Sequence, residues 1–225
     1  MCFDNYITLG LLILQLLSEV HFKRVDAILE LPRPRTIKCH LPYRLLPTQI
    51  LQGKGKIIYT SRNHKDVVQS YYSVFLWGDY LHDETTDGYV DAFVQGNVPI
   101  GLWTDHVLSY WTNRNCINIL LLKYEDTVKD MSGCVRKIAN FLDRKLTDDD
   151  VIRITENCDV NRMRENPMTS LQYMKKYTVM REGVGTFINK GKAGYWREVL
   201  TPEMSAKIDT MKKPLEGTGL QYDFQ

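Results

Sequence analysis

No stretch of this 225-residue chain stays apolar for the roughly twenty residues that a helix needs to cross a bilayer. The most apolar run, Ile7 to Leu17, follows Asp4 rather than a basic flank, and Ser18-Glu19-Val20 is no small-residue cleavage site. It reads as a buried helix rather than a secretory signal, with an aberrant or truncated start as the alternative. The chain is therefore expected to be cytoplasmic and to make no membrane contact. Cysteine is scarce: Cys2, Cys39, Cys116, Cys134 and Cys158 are odd in number, scattered and without CxxC spacing. That excludes a disulfide framework, points to no zinc or other metal, and fits a reducing compartment. Charge surplus is missing too, with 29 basic against 27 acidic residues. Nucleic acid is therefore not an expected partner, and any phosphate recognition must be local. Nor is there a Gly-x-x-x-x-Gly-Lys-Ser/Thr loop, which argues against a P-loop kinase. No repeat, low-complexity tract or linker interrupts the sequence. With 44% hydrophobic and 25% charged residues, positions 1–225 read as one ordinary globular domain.

Apolar runs alternate with amphipathic stretches, the pattern of an α/β protein with a parallel sheet flanked by helices. Thr36-Ile37-Lys38-Cys39 is predicted as a strand ending at His40, because Pro42 and Pro47 forbid a long helix there. Gly53 and Gly55 precede a second predicted strand, Lys56 to Thr60. The third is the aliphatic run Ile117 to Leu122, too short and β-branched for a free-standing helix. Helices are expected over Lys65 to Phe75 with Asn63 as N-cap, within Thr85 to Asn97, and over Leu102 to Trp111. Further helices are expected over Val128 to Leu142, after the capping sequence Thr147-Asp148-Asp149-Asp150, and over Met204 to Met211.

Chemistry-bearing residues fall where those strands end, which is where α/β enzymes place their sites. Lys38 and His40 lie two residues apart, hence on one face of the first strand. Imidazole suits proton abstraction near neutral pH, and a neighbouring ammonium can stabilise developing charge. A lone histidine capping a loop is the bland alternative. His21, His64, His82 and His106 lack such context and read as surface or packing residues. Arg62 leaves the second strand with a planar fork fit for phosphate, and the helix that follows adds N–H donors. Ser70 lies about two turns into that helix, beside such an anion if the site runs along the helix. The bland reading pairs Arg62 with Asp66 and packs Ser70 under Tyr71.

Two segments carry a family resemblance: Lys38-Cys39-His40-Leu41-Pro42 and Arg62-Asn63-His64-Lys65-Asp66 through Ser70-Tyr71-Tyr72. They resemble the Lys-Thr-His-Leu-Pro and Arg-Asn-x-Lys-Asp-x-x-x-Ser-Tyr-Tyr segments of the cytosolic sulfotransferases, with Cys39 in place of Thr. Further matches are Phe93-Val94-Gln95-Gly96, Trp103 through Val107, and Tyr124-Glu125-Asp126. Met163-Arg164-Glu165-Asn166-Pro167-Met168 and Phe187-Ile188-Asn189-Lys190-Gly191 to Trp196 complete the set, which spans roughly Val25 to Trp196. The resemblance implies a P-loop-NTPase-like sulfotransferase fold and sulfonyl transfer from 3′-phosphoadenosine-5′-phosphosulfate (PAPS) to a small hydroxylated or phenolic acceptor. It implies His40 as base and Lys38 as charge stabiliser. Arg62, Ser70 and Lys190 would hold the 3′-phosphate, and Gly191 would give backbone access to it. Tyr124, Cys158, Met163, Phe187, Ile188 and Asn189 would complete the cofactor site.

Departures weaken that site. Asn189 stands where the family has a phosphate-binding Arg, Tyr195 where it has Asp, and Cys158-Asp159-Val160 where it has Thr-Ser-Phe. The family's Tyr-Pro-Lys-x-Gly-Thr-Thr-Trp loop, which cradles the 5′-phosphosulfate, is not found; no Gly precedes Gly10 and no Lys precedes Lys23. The fold is therefore expected to lack its phosphate-loop strand. Two functions follow: a PAPS-dependent sulfotransferase, or a catalytically inactive, truncated relative keeping only the 3′-phosphoadenosine half-site. The family's dimer segment corresponds to Arg197 to Ala206, where Pro202 replaces Val and Ala206 replaces Glu. Proline lacks the N–H that backbone pairing would use, so this dimer is not expected.

Overall fold

The computed structural model describes residues 34, 36–37, 40–77, 85–99, 101–170, 172 and 187–222. Within it, β1 (Ile57–Ser61) pairs with β2 (Ile119–Lys123) in parallel, with Ile57 opposite Ile119 and Ser61 opposite Lys123. This register brings both carboxyl ends to one edge, so Arg62 and Tyr124 leave the sheet side by side. Among the described residues the sheet has these two strands. The strand expected over Thr36 to Cys39 does not form at Thr36 and Ile37, and Ile37 is half exposed. Lys38 and Cys39 lie outside the described residues, as does the apolar run Ile7 to Leu17.

Local capping sets most helix starts. After the single turn α1 (Thr48–Leu51), α2 (His64–Trp77) begins where the Asn63 Oδ1 accepts the Asp66 N–H at 2.8 Å. α3 (Thr86–Gln95) starts at Thr85, whose hydroxyl accepts the Gly88 N–H. It ends at Gly96, left-handed at φ +76°, where a Cβ would meet Leu102 Cγ at 2.8 Å. α4 (Trp103–Thr112) follows. The helix expected over Val128 to Leu142 is two helices, α5 (Tyr124–Lys129) and α6 (Met131–Phe141). Asp130 separates them, because its carboxylate leaves the helix to accept the Gly133 N–H at 2.7 Å. α7 (Asp148–Asn157) carries the reciprocal capping box of Thr147 and Asp150. α8 (Val160–Glu165), not expected from the pattern, is capped by Asp159, which accepts from Asn161 and Arg162. α9 (Pro202–Asp209) starts with Thr201 as N-cap and Pro202 at its first position, where a missing N–H costs nothing.

The core lies between α2, α3, α4 and the carboxy-terminal elements. Val68, Val90, Phe93, Trp103, Val107 and Ile208 are all buried there. Fully burying such a side chain contributes about 1.5–3 kcal/mol, so this cluster fixes α2 rigidly below the sheet edge. No described helix is long and apolar enough to cross a membrane.

Candidate functional site

Two groups of polar residues flank the parallel pair, one at the carboxyl ends of β1 and β2 and one beside Tyr59 in the middle of β1. The first centres on Arg62. Its Nη2 donates to the Lys192 carbonyl at 3.0 Å and lies 3.2 Å from the Asp66 carboxylate, while its guanidinium stacks 4.2 Å from the Tyr124 ring. The Arg62 Nε is buried and has no hydrogen-bond acceptor among the described residues. Burial pushes the Tyr124 phenol above its ordinary pKa, opposed by the adjoining Arg62 charge.

Asp66 is the hub of this corner. Fully buried, it accepts from the Gly194 N–H at 2.7 Å, the Trp196 N–H at 2.9 Å and the Asn63 amide at 2.9 Å. Asn63 links it to a second buried carboxylate: Glu125 Oε1 accepts both the Asn63 backbone and side-chain N–H groups, each at 2.8 Å. The Glu125 Oε2 is buried with no partner among the described residues. Ser70, four residues after Asp66 in α2, shares its helix face, one turn further from the sheet.

The segment 187–192 is held by α8. Arg164 donates from Nε to the Ile188 carbonyl at 3.3 Å and from Nη2 to the Asn189 carbonyl. Gly191 is left-handed at φ +67° and packs so closely on Val160 that a Cβ would meet its Cγ2 at 2.8 Å. Val160 and Arg164 thus border Ile188 to Gly191. Cys158 caps the end of α7, and burial raises its thiol pKa. The Met163 carbonyl accepts the Thr169 hydroxyl. Lys190 is exposed, its Nζ 5.8 Å from the ring of Tyr195.

His40 belongs to the second group. Its carbonyl accepts from His106 Nε2 at 3.1 Å, which fixes the tautomer: His106 Nδ1 must accept the Tyr59 hydroxyl, 3.0 Å away. Burial lowers the His106 pKa, in keeping with a neutral ring in this relay, against the pull of its bonds to the His40 and Leu41 backbone. Tyr110 also donates to the Leu41 carbonyl at 2.7 Å, so α4 and β1 together carry the His40 backbone. His106 is thus a packing residue with a specific partner on each nitrogen. Lys38 lies outside the described residues.

A cavity of about 410 Å³ opens beside β2, lined among others by Ser61, Lys123, Tyr59 and Tyr222. Arg62 and Tyr124 are not among the residues that line it. Among the described residues no group of three or more His, Cys, Asp or Glu side chains is placed to hold a metal ion.

The sulfotransferase domain family has a sequence profile that matches residues 6–219. This chain belongs to the sulfotransferase family. Sulfotransferase 1B1 of Canis lupus familiaris is 33% identical, over 98% of this chain and 75% of that relative. Sulfotransferase 1E1 of Bos taurus is 34% identical, over 91% of this chain and 70% of its own length. The fold is similar to that of retinol dehydratase solved with androsterone and the inactive cofactor PAP. That similarity has a TM-score of 0.83 and 26% identity, over 95% of this chain and 64% of that structure. A mouse sulfotransferase complexed with PAP gives a TM-score of 0.73 and 27% identity, over 85% of this chain and 70% of that one. This chain therefore spans about two thirds of its relatives.

Sequence reasoning passed over three residues of this sulfotransferase corner. Asp66 was weighed only as a competitor for Arg62, and that ion pair does form. Glu125 and Arg164 lie inside quoted motifs without a role assigned to them. The signal for Asp66 was its spacing: an acid four residues after Arg62 faces back toward it on a helix.

Proposed function

We propose that this sulfotransferase-family chain binds the 3′-phosphoadenosine half of PAPS at the corner formed by Arg62, Ser70, Tyr124 and residues 187–191. The observation that carries the reading is the meeting of Arg62, Tyr124 and the 187–192 segment at the carboxyl ends of parallel strands, with the buried Arg62 Nε lacking an acceptor among the described residues. A phosphate oxygen supplies that acceptor, and hydrogen bonds to a charged group contribute about 1.5–3 kcal/mol each. Lys190 adds a solvent-facing charge, and Gly191, by lacking a Cβ, lets the segment close onto Val160 of α8. Cys158, Met163, Phe187, Ile188 and Asn189 form the base-side wall.

For the whole protein we infer sulfonyl transfer to a hydroxyl or phenol of a small molecule in a cytoplasmic setting, with 1–225 acting as one catalytic domain. Chemically, the acceptor oxygen attacks sulfur while His40 takes its proton, and the bond from sulfur to the phosphate oxygen breaks. Lys38 stabilises charge on the transferring group. Arg62, Ser70 and Lys190 hold the 3′-phosphoadenosine end, and Tyr59 and His106 orient the His40 backbone.

A second reading keeps the half-site without turnover. It is favoured by Asn189 in place of a cation and by Arg62 Nη2 already sharing Asp66 and the Lys192 carbonyl. Titration calorimetry with 3′-phosphoadenosine 5′-phosphate on the parent chain and Arg62→Ala tests the shared part. A loss of about 10- to 150-fold is expected on the energy range above. Equal affinity in the two proteins would make Arg62 purely structural. Transfer from PAPS to a phenol that disappears in His40→Ala separates the enzyme from the inactive relative.

A further inference from the structure

Asp66 has no part in the reading above, yet it is the most heavily engaged carboxylate of the corner. We propose that Asp66 is the positioning residue of the phosphate site, fixing the Arg62 fork against the Gly191–Trp196 backbone before any ligand arrives. The inference rests on the proposed 3′-phosphoadenosine site and adds the residue that sets its geometry.

Among the described residues the groups bonded to Asp66 are all donors: the N–H of Gly194, the N–H of Trp196, the Asn63 amide and the Arg62 guanidinium. A fully buried carboxylate is the one side chain of this size with acceptor capacity for all of them. The same Arg62 Nη2 that faces Asp66 donates to the Lys192 carbonyl, so three points of the chain, at 62, 66 and 192–196, are tied through one charge. Gly194 is left-handed at φ +79°, which turns its N–H onto Asp66. Asn63 then fixes the carboxylate from behind and is itself held by Glu125. With Nη2 committed, the guanidinium cannot rotate freely, and its Nε edge is presented in one orientation. Preorganisation of this kind strengthens binding by reducing what must be ordered on association.

Asp66→Asn is nearly isosteric and tests the idea. It keeps one acceptor oxygen but turns an NH₂ toward N–H donors and removes the negative charge that faces Arg62. Affinity for 3′-phosphoadenosine 5′-phosphate should fall about tenfold, the loss expected for one charge-assisted hydrogen bond. In Arg62→Ala the same substitution should cost no further affinity, because Asp66 acts through Arg62. An additive loss in that double-mutant cycle, or unchanged affinity in Asp66→Asn, would overturn the proposal while leaving the binding site in place. An Arg62→Ala chain that binds as the parent does would instead overturn the site itself. Should Asp66→Asn fail to fold, the unaltered chain still decides. Without ligand, the Arg62 guanidinium should show slow rotation and separately resolved Nη protons by NMR. Averaged signals before ligand addition would refute a preset fork.

Discussion

Gly191→Ala is the sharpest single perturbation of the 187–192 segment, and its cost can be worked from local geometry. At φ +67° an L-residue pays about 1–2 kcal/mol for the left-handed conformation. The new Cβ would also meet Val160 Cγ2 at 2.8 Å and Val160 Cβ at 2.9 Å. Carbon atoms rest about 3.5–4.0 Å apart, so the segment and α8 must separate by roughly 1 Å. The Arg164 Nε to Ile188 carbonyl bond, already 3.3 Å long, does not survive that shift. Its loss adds about 0.5–1.5 kcal/mol. The sum is about 1.5–3.5 kcal/mol, which at this chain length lowers Tm by roughly 3–14 °C when the segment melts with the rest. Thermal melting by circular dichroism reads the stability, and calorimetry with 3′-phosphoadenosine 5′-phosphate reads the site. Val160→Ala in the same chain should relieve the contact and recover the steric part, leaving the backbone strain. A Gly191→Ala protein that matches its parent in both measurements would refute the close packing of this segment on α8.

Four other outcomes are expected. Tyr59→Phe removes the hydroxyl that His106 accepts and should destabilise by about 0.5–1.5 kcal/mol, measured by urea unfolding; in an active full-length protein it should lower kcat more than it changes PAPS affinity. His64 is buried with its pKa depressed to about 3, chiefly by desolvation, so the unfolded chain binds a proton there that the folded chain does not. Stability is therefore fully present above about pH 6.5 and lost as pH falls toward 3, with a slope up to about 1.4 kcal/mol per pH unit from this group; a His64→Gln chain should show a flatter acid limb. Lys65→Met removes an ammonium that donates to Ser205 at 2.7 Å and Asp209 at 2.9 Å, loosening α9 from α2 by about 1–3 kcal/mol, whereas an unchanged Tm would show the pair contributes nothing. Sedimentation should show no tight dimer through Thr201, since Pro202 lacks the N–H for such a pairing.

Local chemistry made part of this protein legible from its residues. β1 and β2 were readable because short β-branched runs between turn signals leave few alternatives. Asn63 and the Thr147–Asp150 box announced their helices because capping is settled within three residues of chain. The motif at Arg62 and Ser70 likewise named the family before any geometry was known. Other features had no local signature. The spacing of Val128 to Leu142 fits one helix or two, and only the Asp130 cap on Gly133 divides it. The expected strand at Thr36 and Ile37 is coil, because a strand forms only where a partner's backbone is available to it. The bonds from Asp66 to Gly194 and Trp196 cross nearly 130 residues, and the His106 relay to His40 crosses 66. Sequence fixes which groups can donate and accept; tertiary packing alone decides which meet, because each buried donor must find its acceptor wherever the fold brings one.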